Sequence, residues 1–188
     1  MLSTEYYLLV TDPKLPSNVS ENSRIFLIGP MGTGKTTIGG QLARALDFNF
    51  LDTDQELEKR TGASVSLIFD VEGESGFRER ESKLVEELTN LERIVLATGG
   101  GAVLGEQNRQ LLSERGQVVY LKSAVPALIE RMRFDQSRPL LQTADPAETL
   151  REIMKVREPL YSSIADVTID TGKLSVKQVI KRLLGELR

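Results

Sequence analysis

The amino-acid sequence predicts an α/β domain of three layers, with helices covering both faces of a parallel sheet. Two observations carry this. Five short apolar, β-branched runs recur at Arg24–Ile28, Phe48–Leu51, Arg93–Ala97, Gln117–Leu121 and Asp166–Ile169, separated by segments of helical spacing. The runs are nearly continuous in apolar residues, as strands buried on both faces are. The length of 188 residues, with 40% hydrophobic and 27% charged, suits one domain with a sizeable core.

Taken in order, residues 1–23 come first, rich in Pro, Ser and Asn from Thr11 onward. They are expected to form a loosely ordered arm, with Tyr6–Val10 a candidate short strand. That apolar run is far too short to span a membrane, and no basic segment precedes it as in a signal peptide. A soluble, cytoplasmic protein is therefore expected, acting as a monomer. Residues 24–188 form the domain. Helical spacing marks Lys35–Leu46, Gln55–Arg60, Ser64–Leu91 (with breaks expected at Gly73 and Gly76), Gln107–Arg115, Ala124–Arg133, Ala147–Tyr161 and Ser175–Leu187.

Composition also excludes chemistry. The chain has no cysteine, no histidine and no tryptophan. Without Cys there is no disulfide, thiolate zinc site or cysteine nucleophile; without His there is no Ser-His-Asp triad or imidazole base. An enzyme here works with carboxylates, Lys, Arg, hydroxyls and backbone N–H groups, and a metal should be a hard ion such as Mg²⁺. The net charge of −3 gives no electrostatic reason to expect nucleic acid or an anionic membrane as partner.

Ligands of parallel sheets bind at the carboxyl ends of strands, so the residues after each run come next. After the first lies Gly29-Pro30-Met31-Gly32-Thr33-Gly34-Lys35-Thr36, a full G-x-x-x-x-G-K-[ST] match between strand and helix. Its backbone N–H groups close on phosphate oxygens, Lys35 reaches the β- and γ-phosphates, and the Thr36 hydroxyl can ligate Mg²⁺. This implies nucleoside triphosphate binding. After the second run stands Asp52-Thr53-Asp54. Asp52 is placed to hold the Mg²⁺ hydration shell with Thr36, and Asp54 to accept a hydroxyl proton from an acceptor substrate. The competing role is helix capping, with Thr53 or Asp54 as the cap. After the third run, Thr98-Gly99-Gly100-Gly101 offers bare backbone N–H groups where a P-loop ATPase would carry an Asp.

Four arginines are less decisive alone. Arg78, in a stretch of i,i+4 charge pairs, suits a solvated helix face. Arg138 lies in a polar stretch between helical segments, the expected place for a lid carrying an arginine onto the transferring phosphate. Arg131, with Arg133, suits adenine stacking or helix solvation. Arg157 stands near an expected proline-terminated helix end, where a cation favours the dipole.

Together, the Gly29–Thr36 loop, Leu51-Asp52-Thr53-Asp54, Gly73–Glu81, Leu96–Leu104, Ser137-Arg138-Pro139-Leu140-Leu141 and Arg157-Glu158-Pro159-Leu160-Tyr161 resemble the shikimate kinase family over roughly residues 24–188. The resemblance implies a five-stranded parallel sheet of the P-loop, nucleoside-monophosphate-kinase type, with a mobile lid at about residues 134–146. It implies transfer of the ATP γ-phosphate to the 3-hydroxyl of shikimate, in the pathway to chorismate and aromatic amino acids. By position, Gly32, Thr33, Gly34, Lys35, Thr36 and Thr37 would hold the ATP phosphates. Thr36 and Asp52 would hold Mg²⁺, the latter through water. Asp54, Arg78, Gly100, Gly101 and Arg157 would bind shikimate, with Asp54 the candidate base. Arg138 would meet the ATP phosphates from the lid and Arg131 lie near adenine, while only Lys173 could supply a basic residue after the last strand. Lys35, Asp54 and Arg138 are the expected catalytic groups. The alternatives are a related gluconate or nucleotide kinase, or an ATP-binding regulatory protein without turnover.

Overall fold

The computed structural model describes residues 19–20, 22–133 and 143–187. In order these form β1 (Arg24–Ile28), α1 (Lys35–Leu46), β2 (Asn49–Asp52), α2 (Thr53–Thr61), α3 (Val65–Leu88) and β3 (Ile94–Ala97). A 3₁₀ turn (Ala102–Leu104), α4 (Glu106–Arg115), β4 (Gln117–Lys122), α5 (Val125–Met132), α6 (Pro146–Ile164), β5 (Val167–Asp170) and α7 (Val176–Glu186) follow. The five strands make one parallel sheet in the order β2-β3-β1-β4-β5.

The two-residue period of a strand sorts the apolar runs onto two faces. Ile25, Leu27, Val95, Val119 and Leu121 pack against Ile38, Leu42 and Leu46 of α1 and Val179 and Leu183 of α7. Phe26, Ile28, Ile94, Leu96, Val118 and Tyr120 pack on the other side, against Leu84, Val85 and Leu88 of α3, Leu112 of α4 and Leu150 and Tyr161 of α6. Each such side chain, fully buried, contributes about 1.5–3 kcal/mol. Two-sided burial is the reason the central strands β1 and β3 are almost entirely apolar, while the edge strands β2 and β5 carry Asn49, Asp52, Thr168 and Asp170 at less buried positions.

Strand order places the site. From β1 the chain passes through α1 to the edge strand β2, while from β3 it crosses to β4 on the far side of β1. The connections leaving β1 and β3 thus diverge and leave a crevice at the carboxyl ends of the central strands. Register keeps those ends level: Asp52 and Leu27 both pair with Ala97, and Ile28 with Tyr120.

Several expected boundaries shift. The cap of α2 is Asp52 rather than Thr53 or Asp54; its carboxylate accepts from the backbone N–H groups of Asp54 and Gln55. The long helix α3 breaks only at Gly73 (φ 71°, ψ 179°), and Gly76 stays helical. Helix α6 does not end at Pro159 but runs on to Ile164. Proline removes one N–H, yet the last turn is held because Tyr161 is fully buried and Leu160 and Ile164 pack on the core. Arg157 is consequently a buried residue inside a helix, not a cation at a helix end. No described helix is long and apolar enough to cross a membrane. Tyr6–Val10, nearly all of the expected arm, Arg138 and most of the lid segment lie outside the described residues.

Candidate active site

The phosphate loop turns out of β1 through Gly29, whose φ of 137° is a glycine conformation; a Cβ there would sit 2.3 Å from the Leu121 carbonyl oxygen. Within the loop the buried Thr33 hydroxyl donates to the Pro30 carbonyl at 2.8 Å. The Lys35 ammonium folds across the loop and donates to the carbonyls of Gly29 (2.7 Å) and Pro30 (2.9 Å). Gly34 precedes α1 in a left-handed conformation, so the loop meets the helix N-terminus and its partial positive charge.

Strand β2 brings Asp52 beside this loop. The Thr36 hydroxyl donates to Asp52 Oδ2 at 2.7 Å, while Asp52 Oδ1 caps α2. The two residues expected near Mg²⁺ are thus already in contact. Their oxygen donors fit a hard divalent ion.

Behind them, Asp54, Arg78, Gly100, Gly101 and Arg157 line the same cavity of about 470 Å³ as Gly32, Gly34, Lys35, Thr36 and Thr37. The Gly99 N–H donates to the Thr53 hydroxyl at 2.8 Å, tying the end of β3 to the start of α2. The Arg78 guanidinium lies against the backbone of Gly101, within 2.4 Å of where a Cβ would stand; only glycine permits that approach. Arg78 also donates to Glu81 Oε2 at 2.7 Å and to Glu74 Oε1 at 3.0 Å. Arg157 is 6% exposed, its charge opposes the rise that burial causes in the Tyr161 pKa, and the Tyr161 hydroxyl donates to the Gly100 carbonyl.

Glu81 escaped the sequence reading, which placed its stretch on a solvated face. It is 1% exposed, and its Oε1 has no hydrogen-bond partner among the described residues. That oxygen and Asp54 Oδ1 both lie within 3.0 Å of where a Cβ on Gly99 would stand. Burial raises the Glu81 pKa, Arg78 and Arg157 oppose the rise, and Asp54 adds to it. The Arg78 guanidinium, more exposed, keeps a pKa raised above its ordinary value; burial alone would lower it, and Glu81 and Glu74 outweigh that. A signal for Glu81 existed: Phe77, Glu81, Leu84, Val85 and Leu88 are spaced as one helix face, and all are buried.

On the far side of the phosphate loop, Arg131 donates to the Thr171 carbonyl (2.6 Å) and hydroxyl (3.1 Å) and to the Gly32 carbonyl (3.4 Å). It ties α5 to the loop after β5, where Lys173 is exposed, and also lines the cavity.

A phosphate loop backed by Thr36 and Asp52, facing a wall of cations, a carboxylate and bare backbone across one cavity, defines a P-loop kinase of a small acidic acceptor. Comparison with known proteins narrows the class. The shikimate kinase family model matches residues 31–188. The shikimate kinase of Nitrosococcus oceani is 55% identical over 167 residues, 89% of this chain and 88% of that one. That of Methylococcus capsulatus is 52% identical over 161 residues, 86% of this chain and 90% of that one. Among solved structures, a shikimate kinase from Acinetobacter baumannii in complex with shikimate superposes with a TM-score of 0.85 at 45% identity, covering 87% and 91% of the two chains. The chain belongs to the shikimate kinase family.

Proposed function

We infer that this enzyme transfers the γ-phosphoryl group of ATP to the 3-hydroxyl of shikimate, giving shikimate 3-phosphate and ADP on the route to chorismate and aromatic amino acids. One observation carries the reading beyond family membership. Asp54, Arg78, Arg157, Gly100 and Gly101, drawn from four separate parts of the chain, converge on one cavity with Lys35 and Thr36. An acceptor with one carboxylate and several hydroxyls needs such a set. Arg forks match carboxylates, and each charge-assisted hydrogen bond is worth about 1.5–3 kcal/mol.

In this reading Arg78 and Arg157 grip the shikimate carboxylate, and the N–H groups of Gly100 and Gly101 hold the ring. Asp54 binds the reacting hydroxyl and takes its proton. Gly32, Thr33, Gly34 and Thr37 hold the ATP phosphates through backbone N–H groups. Lys35, moving off the carbonyls of Gly29 and Pro30, offers its ammonium to the β- and γ-phosphates. Thr36 and, through water, Asp52 hold Mg²⁺. Bound there, the ion neutralises charge on the phosphates. The assignment of Arg138 and residues 134–146 to a lid over the phosphates, and of Arg131 to the adenine side, rests on the family pattern. The enzyme is read as a cytoplasmic monomer acting on small molecules rather than nucleic acid. The net charge of −3 supports the last point.

The test is ADP release measured in a coupled assay with shikimate, with gluconate, and with neither. Release that depends on shikimate alone supports the reading. A rate with gluconate and none with shikimate overturns it.

A further inference from the structure

Behind the substrate-facing wall lies a side chain that the roles above leave without a task. Tyr161 is fully buried, one helical turn beyond Arg157 on α6. Its hydroxyl donates to the Gly100 carbonyl, and the positive charge of Arg157 lies beside it, opposing the rise that burial causes in its pKa. Its ring stacks on Tyr120, centroids 5.0 Å apart and planes 24° from parallel. The phenol is therefore hydrogen-bonded to one of the groups assigned to shikimate, on the strand side of the cavity, and lies beside another, on the helix side.

The Gly100 carbonyl and the Gly101 N–H belong to one peptide plane, and in a trans peptide the two point in opposite directions; the described chain contains no cis peptide. Holding the carbonyl back toward Tyr161 therefore aims the Gly101 N–H away from it. Gly100 and Gly101 both line the cavity. Two successive glycines have no side chains to set such a plane; the Ala102 N–H to Gly99 carbonyl bond (3.1 Å) closes the turn around it, and the Tyr161 hydroxyl fixes its carbonyl. We propose that the Tyr161 hydroxyl is a positioning group for shikimate, holding the 100–101 peptide plane in register beside the Arg157 guanidinium. This rests on the substrate assignment above and adds a residue that never touches the ligand.

The test is Tyr161→Phe, which keeps the ring and its stacking and deletes only the hydroxyl. Tyr120→Phe serves as control, because the buried Tyr120 hydroxyl has no hydrogen-bond partner among the described residues. Steady-state kinetics of Tyr161→Phe should show the shikimate KM raised about fivefold, the size expected for one ordinary hydrogen bond. The ATP KM should stay within twofold, and Tyr120→Phe should keep both constants. An unchanged shikimate KM in folded Tyr161→Phe, or equal losses for both substrates, overturns the proposal. A second measurement survives a folding failure of the variant. With no tryptophan in the chain, the near-ultraviolet spectrum belongs mainly to four tyrosines. Shikimate added to the wild-type protein should perturb the tyrosine bands, and an unchanged spectrum at saturation overturns the proposal. Wild-type enzyme without any shikimate-dependent ADP release overturns the substrate assignment and this role together. An active wild type with an indifferent Tyr161→Phe overturns this role alone.

Discussion

Asp54 does not cap its helix. That duty falls to Asp52, which meets Asp54 N–H at 3.0 Å, so the Asp54 carboxylate faces the cavity. Asp54→Asn, nearly isosteric, should lower turnover by roughly 10²-fold or more, measured as kcat with both substrates saturating. Near-wild-type turnover would reduce Asp54 to a bystander. Arg78→Ala should raise the shikimate KM strongly while leaving ATP affinity within a few fold, as titration with each ligand would show. Glu81 adds a pH signature. Its raised pKa means the folded protein holds a proton that the unfolded chain releases once pH exceeds the ordinary value of 4.5. Stability contributed by this group is therefore present at low pH and lost as pH rises from 4.5 through the raised value. The thermal midpoint of wild type relative to Glu81→Gln should fall across that window; parallel curves would contradict the buried placement. Arg78 and Arg157 could not be weighed from local sequence, because Glu74 and Glu81 flank the first at pairing distance along a helix and Pro159 follows the second. What decides them is their surroundings in the fold, namely the backbone of Gly101 against Arg78 and, for Arg157, burial and the charge of Glu81.

At the scale of elements, helix α3 shows how a single residue shapes one side of the cavity. Its first half carries Val65, Ser66 and Phe69 to the cavity and its second half carries Phe77, Arg78 and Glu81, with the kink at Gly73 between them. The φ and ψ of Gly73 lie in a region essentially reserved to glycine. Nothing stands within 4 Å of a Cβ there, so a substitution meets only backbone strain. Gly73→Ala should cost about 1–3 kcal/mol in denaturant unfolding. A change below a few tenths would mean that the kink is not enforced. Sequence signals marked both Gly73 and Gly76 as breakers, but composition could not tell a kink from a tolerated helical glycine. Likewise Pro159 suggested an end that α6 does not have, because burial of Tyr161 outweighs one missing hydrogen bond.

For the whole molecule, the parallel sheet was legible because burial on both faces writes itself as apolar runs, and the phosphate loop because its chemistry demands a local motif. Strand order was not legible, since every run is similarly apolar and pairing is decided by crossovers. Yet that order brings Asp52, Ala97 and Leu27 level and sets the phosphate loop in one cavity with Arg78, Gly101 and Arg157. The central claim is that these two halves share one reaction. The direct measurement is ADP release by wild-type enzyme with saturating Mg-ATP, with and without shikimate. Release that rises well above background only when shikimate is present, with formation of shikimate 3-phosphate, is the predicted result. A rate indifferent to shikimate would contradict it.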